Sequence, residues 1–262
     1  MDFVIYILAG AGVGLAIGMT GVGGGSLMTP LLILFNIPYH VAIGTDLLYA
    51  AITKTGGVIS HQRRGTIKWR LVLLLGVGSI PASILTTLSL HRVFTDPDEY
   101  KPLLTGALGI MLILTSVVLL FRKRIQASNL HPTPTGLAGF GRRHSDGITL
   151  VAGIVLGVFV TLSSVGAGAF CAALLLMLYP RLPALGVVGT DIAHAVPLTF
   201  VAGMGHYLLL GNVDFVLLGC LLLGSLPAVH YGTKLGALVP NRIMHPILAS
   251  LLMLLGVRFA FF

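Results

Sequence analysis

The sequence predicts an all-α polytopic membrane protein made of two inverted-topology repeats, on the strength of its composition, its uncharged runs and an internal repeat. Of the 262 residues, 56% are hydrophobic and only 9% are charged, whereas soluble domains carry about 25% charged residues. Several uncharged runs reach the roughly 20 residues that cross a bilayer as a helix. These runs are 71–90, 102–121, 147–180, 192–213 and 215–233.

The formal net charge of +8 has a different meaning in a membrane protein than in a soluble one. In a soluble chain it would favour a polyanionic partner such as nucleic acid. In a membrane protein it is the expected excess of Lys and Arg in cytoplasmic loops. We therefore expect a lipid bilayer and no nucleic acid as the partner, and we use the charge to assign topology.

Three short motifs occur twice, in the same order and at nearly one spacing, which indicates two copies of one unit. The pairs, offset by 145 or 146 residues, are Gly44-Thr45-Asp46 with Gly189-Thr190-Asp191, Gly21-Val22-Gly23 with Gly166-Ala167-Gly168, and Gly78-Ser79-Ile80-Pro81-Ala82 with Gly224-Ser225-Leu226-Pro227-Ala228. The sequence thus predicts a first repeat over 1–124, a linker over 125–146 and a second repeat over 147–262.

Each repeat contains five apolar segments in the same order. They are 3–20, 27–36, 41–61, 71–90 and 102–121 in the first repeat, and 148–163, 170–179, 183–208, 215–231 and 243–260 in the second. The second segment of each repeat has only about ten residues, too few to span a full bilayer as one helix. We expect it either to fold back on the first segment as a re-entrant hairpin or to cross where the protein narrows the barrier.

Matched loops of the two repeats carry opposite charge bias. The loop after the third segment contains Arg63, Arg64, Lys68 and Arg70 in the first repeat but only Asp214 in the second. The loop after the fourth segment is net acidic in the first repeat and basic in the second. Because cationic loops remain in the cytoplasm, this predicts oppositely oriented repeats. The linker 122–146 is then cytoplasmic, and both termini lie outside the cell membrane.

Two acidic residues, Asp46 and Asp191, lie inside apolar segments, at equivalent positions of the two repeats. An ionisable group in the hydrocarbon region is costly and usually faces a bundle interior or a substrate path. Each carboxylate either carries protons or braces a helix break by accepting backbone N–H bonds. His194 follows Asp191 by three residues, on the same helix face, and is either a proton relay or a packing residue.

Lys54 is the one basic residue deep within an apolar segment, and the second repeat has Thr199 at the equivalent position. Thr55 and Gly56-Gly57 follow it, where a helix can open its backbone. Lys54 either contacts an anion or extends toward the inner surface, as long cationic side chains commonly do.

Two glycine-rich turns, at 21–26 and 163–169, each join a longer and a shorter apolar segment. The N-terminus of the following helix would offer N–H donors and partial positive charge to an anion, and matched broken helices point to a transporter's binding site. Close helix packing through small residues is the alternative. The predicted substrate-binding residues are Gly21, Gly23, Gly24, Gly25, Ser26, Thr29, Thr45, Lys54, Thr55, Ser163, Ser164, Gly166, Gly168 and Thr190.

Pro81 and Pro227 should kink the fourth segment of each repeat, since proline removes a helical N–H. The kinks are either hinges or fixed bends. No spacing provides the three or four convergent ligands that a metal site needs, so the sequence predicts no metal, no cofactor and no catalytic residues.

The run Gly-Val-Gly-Gly-Gly at 21–25 followed by Pro30, the two Gly-Thr-Asp motifs and the two-copy layout resemble the sulfite exporter TauE/SafE family, also called the TSUP permeases. The resemblance covers nearly the whole chain and implies transport of sulfite, sulfonates and related organosulfur anions. The second turn departs from the first, with Ala167 and Ala169 in place of Val22 and Gly24.

We therefore expect an alternating-access carrier for a small sulfur-containing oxyanion, with proton coupling through Asp46, Asp191 or His194 as a secondary hypothesis. An anion channel, an intramembrane hydrolase using Ser26 with a histidine, and a structural role in membrane assembly are the alternatives. The sequence does not define the particular anion, the direction of flux or the oligomeric state.

Overall fold

The computed structural model describes residues 2–20, 25–128, 145–236 and 241–261. Ten α-helices and short connections make up these ranges. The helices are α1 (Asp2–Thr20), α2 (Gly25–Leu34), α3 (Tyr39–Arg63), α4 (Trp69–Val93), α5 (Lys101–Ser128), α6 (Ser145–Ser163), α7 (Ala169–Leu178), α8 (Ala184–Leu210), α9 (Phe215–Gly236) and α10 (Asn241–Phe261).

Five of the described helices, α4, α5, α6, α8 and α9, are long and apolar enough to cross a membrane. Their outward faces carry large apolar side chains such as Leu73, Val77 and Leu223, which are more than half exposed. Such faces suit lipid, in which every backbone polar group must be paired within the helix. The predicted all-α polytopic membrane protein is confirmed.

The helix pattern follows the predicted five segments per half. Both second segments are helices of ten residues, α2 and α7, as the sequence predicts. The predicted helix break at 163–169 is present, since α6 ends at Ser163 and α7 begins at Ala169. The predicted Gly21, Gly23 and Gly24 lie outside the described residues. α5 continues beyond the apolar run to Ser128.

The α6–α7 pair forms a hairpin whose two ends lie together. Tyr179, which follows α7, has its hydroxyl 2.9 Å from the Thr149 hydroxyl near the start of α6. The same hydroxyl donates to Asp146 in the first turn of α6, at 3.3 Å. The C-terminus of α7 therefore returns to the end at which α6 begins, and this geometry supports the re-entrant form of the two arrangements expected for the short segment.

The helix contacts between the two halves follow a symmetric pattern: each contact has a counterpart between the equivalent helices. The first helix of each half packs along the fourth helix of the other, as α1 on α9 and α6 on α4. Equivalent helices also pack on one another, as α3 on α8 and α5 on α10. The core is therefore built from contacts between the halves, which share two large buried apolar clusters.

The equivalent helices that pack together run antiparallel. Gly44, near the start of α3, lies against the backbone of Asn212, just beyond the end of α8. Gly189, near the start of α8, lies against His61, near the end of α3. Likewise Ser116 of α5 donates to the Ala249 carbonyl of α10 at 2.6 Å, while Gly109 lies against Ala260. This is the packing expected of inverted repeats, whose orientation in the membrane stays a prediction.

Candidate functional site

Three ionisable side chains from antiparallel α3 and α8 lie together inside the protein: Asp46, Lys54 and Asp191. We call them the central cluster. The two aspartates are 0% and 5% exposed, and Lys54 is half-buried. Their helices bring them together because α3 and α8 pack along each other. The cluster borders residues 164–168, the connection from α6 to α7, which we call the second turn.

Asp46 connects three elements of the structure. Its Oδ2 accepts a hydrogen bond from the Thr29 hydroxyl of α2. The Ser164 hydroxyl of the second turn lies next to the same carboxylate. Among the described residues, Asp46 Oδ1 and Ser164 Oγ have no hydrogen-bond partner. Because buried polar atoms are normally paired, this corner retains capacity for a proton, a water molecule or a ligand.

Asp191 occupies the equivalent place in the second half. Its Oδ1 also has no hydrogen-bond partner within the described ranges, and the Cys171 thiol of α7 lies beside its carboxylate. Sequence reasoning missed Cys171, although it stands 145 residues after Ser26, a predicted site residue. The repeat offset was therefore the signal that could have identified it.

Lys54 points into the cluster. Its ammonium donates a hydrogen bond to the carbonyl oxygen of Ala167 in the second turn, at 2.8 Å, and the charges of Asp191 and Asp46 act on it. Thr55, which was predicted to join it, is exposed and donates to Ala51 of its own helix at 2.8 Å. The structure thus brings Lys54 to the site and leaves Thr55 outside it.

The ionised central cluster carries one positive and two negative charges. A buried charge without a partner is strongly unfavourable in a low-dielectric interior. Lys54 can balance one carboxylate, so the other needs a proton or an additional cation. The cluster is therefore suited to proton binding.

The second turn is itself tightly constructed. Ser164 and Gly166 have φ of 58° and 120°, and a Cβ at Gly166 would lie 2.5 Å from the Met111 side chain. The Ser163 hydroxyl donates to the Phe159 carbonyl at 2.6 Å. The N–H of Cys171, one of the four N–H groups at the start of α7 that have no partner within the helix, donates to the Gly166 carbonyl at 3.4 Å, so part of the donor set there is used within the turn.

Thr45 and Thr190, both predicted as binding residues, each accept a hydrogen bond from a loop of the opposite half; their role in ligand binding stays a prediction. The Asp214 N–H donates to the Thr45 hydroxyl at 3.1 Å. The Lys68 N–H donates to the Thr190 hydroxyl at 3.0 Å. These two hydrogen bonds occupy equivalent positions in the two halves. Each joins the Gly-Thr-Asp motif of one half to the loop before the fourth helix of the other half.

His194 pairs with Ser79 of α4, with its Nε2 2.8 Å from the serine hydroxyl. The equivalent position in the other half places Tyr49 beside Ser225 of α9. Both serines belong to the repeated Gly-Ser-x-Pro-Ala motif, two residues before Pro81 and Pro227. α4 and α9 continue as helices through these prolines, and their role as hinges stays a prediction. Sequence reasoning missed both serine contacts.

On the α2 side, the predicted site residues Ser26 and Thr29 are both buried in the short helix, which begins at Gly25. Thr29 reaches the central cluster through Asp46. In the part of the chain that the structure describes, no three His, Cys, Asp or Glu side chains converge to hold a metal ion.

Comparison with known proteins gives the chain a family. The model of the sulfite exporter TauE/SafE family matches residues 6–259. The probable membrane transporter protein YjnA of Bacillus subtilis is 37% identical, with 97% of this chain and 98% of the relative covered. YdhB of the same organism, also a probable membrane transporter protein, is 31% identical over 92% of this chain and 96% of its own length.

A more distant relative, a probable membrane transporter protein of Methanocaldococcus jannaschii, is 25% identical over 96% of this chain and 93% of its own length. No solved structure matches the chain. The family match spans nearly all ten helices, including the central cluster. The chain therefore belongs to the sulfite exporter TauE/SafE family and is a multi-pass membrane transporter.

Proposed function

We propose that this transporter carries small sulfur-containing oxyanions, such as sulfite or organosulfonates, across the cell membrane by alternating access, together with protons. The observation that carries the proposal is the central cluster, in which Lys54 contacts the second turn and is acted on by the charges of the buried Asp46 and Asp191. The family description, sulfite exporter, supports the class of substrate.

Lys54 is the cationic anchor of the proposed site. Its ammonium exchanges the Ala167 carbonyl for an oxygen of the anion, because a charge-assisted hydrogen bond to an anion is stronger than one to a neutral acceptor. The hydroxyls of Thr29 and Ser164 both lie beside the Asp46 carboxylate. In the proposal they donate hydrogen bonds to the remaining oxygens of the anion. Together these donors replace part of the hydration shell that the anion loses.

The net charge of the central cluster makes anion binding depend on protonation. With both carboxylates ionised the cluster is net negative, and an incoming anion would add to the repulsion in a medium of low dielectric constant. Protonation of Asp46 and Asp191 leaves Lys54 as the dominant charge, so an anion binds with protons and leaves when they leave. His194 is close enough to Lys54 for the two groups to interact electrostatically. In the proposal it acts as a secondary relay for protons.

The symmetric helix pairing supports inverted repeats that rock about the central cluster. In this proposal the α1–α9 and α4–α6 pairs move relative to antiparallel α3 and α8, with Pro81 and Pro227 as hinges. The linker 122–146 is cytoplasmic and both termini are outside, as the loop charges predict.

Uptake into proteoliposomes tests the proposal. Wild type is compared with Lys54→Met, Asp46→Asn and Asp191→Asn on a panel of sulfite, sulfate, thiosulfate and methanesulfonate, with and without a pH gradient. We expect at least one sulfur anion to accumulate when the pH gradient drives protons in the same direction. Lys54→Met should abolish uptake, whereas Lys234→Met, at an exposed position near the end of α9, should retain it.

The neutral aspartate variants separate coupling from binding. We expect Asp46→Asn or Asp191→Asn to retain exchange of anion for anion while losing accumulation driven by the pH gradient. Absence of uptake for every anion in the panel would overturn the substrate assignment. Unitary currents without counterflow exchange would favour an anion channel instead.

A further inference from the structure

A cavity of about 610 Å³ opens at one end of the molecule, away from the central cluster. It lies where the C-termini of α2 and α10 meet the N-termini of α3 and α5. Loop charges predict that this end faces outward. The cavity is large enough for a small organic anion with several water molecules, since ligand pockets begin at about 300 Å³.

The fixed charges that line the cavity are predominantly positive. Lys101 and Arg258 reach it from α5 and α10, and Asp98 reaches it from the loop before α5. His40 and Asn36 add polar groups to the same wall. The lining thus carries one excess positive charge, the opposite of the ionised central cluster. Lys101 and Arg258 are therefore the groups of this lining that can attract the head of an anion.

The remaining wall is apolar and aromatic. Lys101 lies 5.2 Å from the centre of the Tyr39 ring, and Tyr39 packs edge-on against Phe259 with 6.2 Å between ring centres. Ile33 and Ile37 complete the apolar surface. A cation over an aromatic ring beside aliphatic side chains can hold both the charged head and the hydrocarbon part of one ligand.

We propose that this cavity is a second binding site, a vestibule for organic anions that combine an oxyanion head with a short apolar chain. Lys101 and Arg258 bind the head, and the wall formed by Ile33, Ile37 and Phe259 receives the chain. A bare inorganic anion gains only the first of these contacts. The vestibule therefore favours sulfonates or carboxylates with a hydrocarbon chain over sulfate or sulfite.

The vestibule leads toward the central cluster along two helices. His40 at its wall precedes Asp46 by six residues on α3, a rise of about 9 Å. The short helix α2 contributes Ile33 and Leu34 to the wall and Thr29 to Asp46. Capture in the vestibule stands on its own geometry, whereas onward delivery to the central cluster rests on the proposed function.

Thiol labelling of a cavity position tests capture without any transport. Thr105 lines the vestibule, and the native Cys171 and Cys220 are buried, so Thr105→Cys supplies an accessible thiol and the unchanged chain gives the background. Two methanethiosulfonates of similar size are compared on purified protein, one with a sulfonate and one with a trimethylammonium group. Each rate is divided by the rate of the same reagent with a small free thiol, because a thiolate itself attracts the cationic reagent; after this correction we expect the anionic reagent to react about five-fold faster than the cationic one.

Removing a positive charge and removing a negative charge from the cavity should change the preference for the anionic reagent in opposite directions. In the Thr105→Cys chain, Lys101→Ala or Arg258→Ala should remove the preference for the anionic reagent, and Asp98→Asn should increase it. Lys234→Ala is the matched control, because Lys234 also lies over a tyrosine ring, that of Tyr231 at 5.9 Å, but near the end of α9. It should leave both rates unchanged.

Protection by ligands tests the chemical class. Butanesulfonate should slow the labelling of Thr105→Cys at lower concentration than methanesulfonate, and sulfate should be the weakest. Equal corrected rates for the two reagents, or equal protection by butanesulfonate and sulfate, would overturn the vestibule. In proteoliposomes Lys101→Ala should raise KM for butanesulfonate with kcat retained. Labelling and protection without uptake would sustain the vestibule while refuting the proposed function.

Discussion

Lys54 is held by contacts from both halves of the chain. Its hydrogen bond to Ala167 joins residues 113 positions apart, and the two carboxylates that act on it come from equivalent helices. A cation in this position balances buried negative charge, so its removal has an electrostatic cost that packing alone does not predict. Lys54 forms no direct salt bridge with either carboxylate among the described residues, so its contribution is the hydrogen bond to Ala167 together with the longer-range attraction of the two carboxylates.

Lys54→Met should therefore lower the stability of the protein as well as its transport. We expect a decrease in the free energy of unfolding of about 1–3 kcal/mol at neutral pH, because the Ala167 carbonyl loses its partner, measured by thermal or denaturant unfolding in detergent. Adding Asp191→Asn to Lys54→Met removes one of the two carboxylates whose charges act on Lys54 and should restore part of that loss. If Lys54→Met alone retained wild-type stability at every pH, the charge balance described for the cluster would be wrong.

The two repeated serines offer a matched pair of substitutions. Ser79 bonds His194 at 2.8 Å, whereas the Ser225 hydroxyl has no hydrogen-bond partner among the described residues. Ser79→Ala leaves a buried imidazole nitrogen unpaired and should cost about 1–3 kcal/mol of unfolding free energy. Ser225→Ala should cost less than about 1 kcal/mol by the same measurement. A larger loss for Ser225→Ala would contradict the observed pairing.

At the scale of elements, the α1–α9 contact depends on glycines spaced four residues apart. Gly10, Gly14 and Gly18 lie on one face of α1 and meet the backbone of α9. A Cβ at Gly14 would lie 2.6 Å from the Ser225 carbonyl oxygen, whereas one at Gly12 would meet nothing within 4 Å. Small residues of this kind let membrane helices approach closely.

Gly14→Ala should separate α1 from α9 and destabilise the fold, while Gly12→Ala should not. We expect Gly14→Ala to lower the thermal unfolding midpoint in detergent and to reduce transport. Gly12→Ala should be neutral or stabilising by up to about 1 kcal/mol, since alanine is the better helix former. Equal effects of the two substitutions would mean that the α1–α9 contact is looser than described.

The sequence predicts the elements well because their signals are local. Ten apolar segments, the two ten-residue helices and the break after Ser163 all follow from runs and glycines within short windows. α5 extends to Ser128 because a helix can continue its hydrogen bonds beyond the apolar run, so the end of that run does not define the end of the helix.

The site is only partly predictable, because its contacts join distant residues. Asp46, Asp191 and Lys54 stand out as charges within apolar segments. The Ser79–His194 pair and the Thr45–Asp214 bond join positions 115 and 169 residues apart, and no spacing within one element encodes them. For the same reason the sequence does not predict the hydrogen bonds by which Thr45 and Thr190 contact loops of the opposite half.

At the scale of the whole molecule, antiparallel packing of equivalent helices predicts how the loops face the membrane. Arg64 follows α3 and Asp214 precedes α9, and both are exposed. Because α3 and α8 run in opposite directions, the matched loops that follow them should lie on opposite sides. This is the arrangement that the loop charges also predict.

Site-directed labelling in intact cells tests this topology. Arg64→Cys and Asp214→Cys are compared using a thiol reagent that does not cross the membrane. We expect Asp214→Cys to react from outside and Arg64→Cys to react only after the membrane is permeabilised, with the unchanged chain as control. Reaction of both from the same side would exclude inverted repeats.

The position of Ala167 relative to Lys54 has a consequence for biosynthesis. The Ala167 carbonyl, which accepts the hydrogen bond from Lys54, is translated 113 residues after Lys54. In addition, α3 is not among the five described helices with the length and hydropathy of a membrane span. Each central Asp or Lys opposes membrane insertion by about 2.5–3.5 kcal/mol. A nascent chain that ends before the second turn therefore lacks the partner that compensates α3, and stable integration of this helix must wait for the ribosome to deliver the other half.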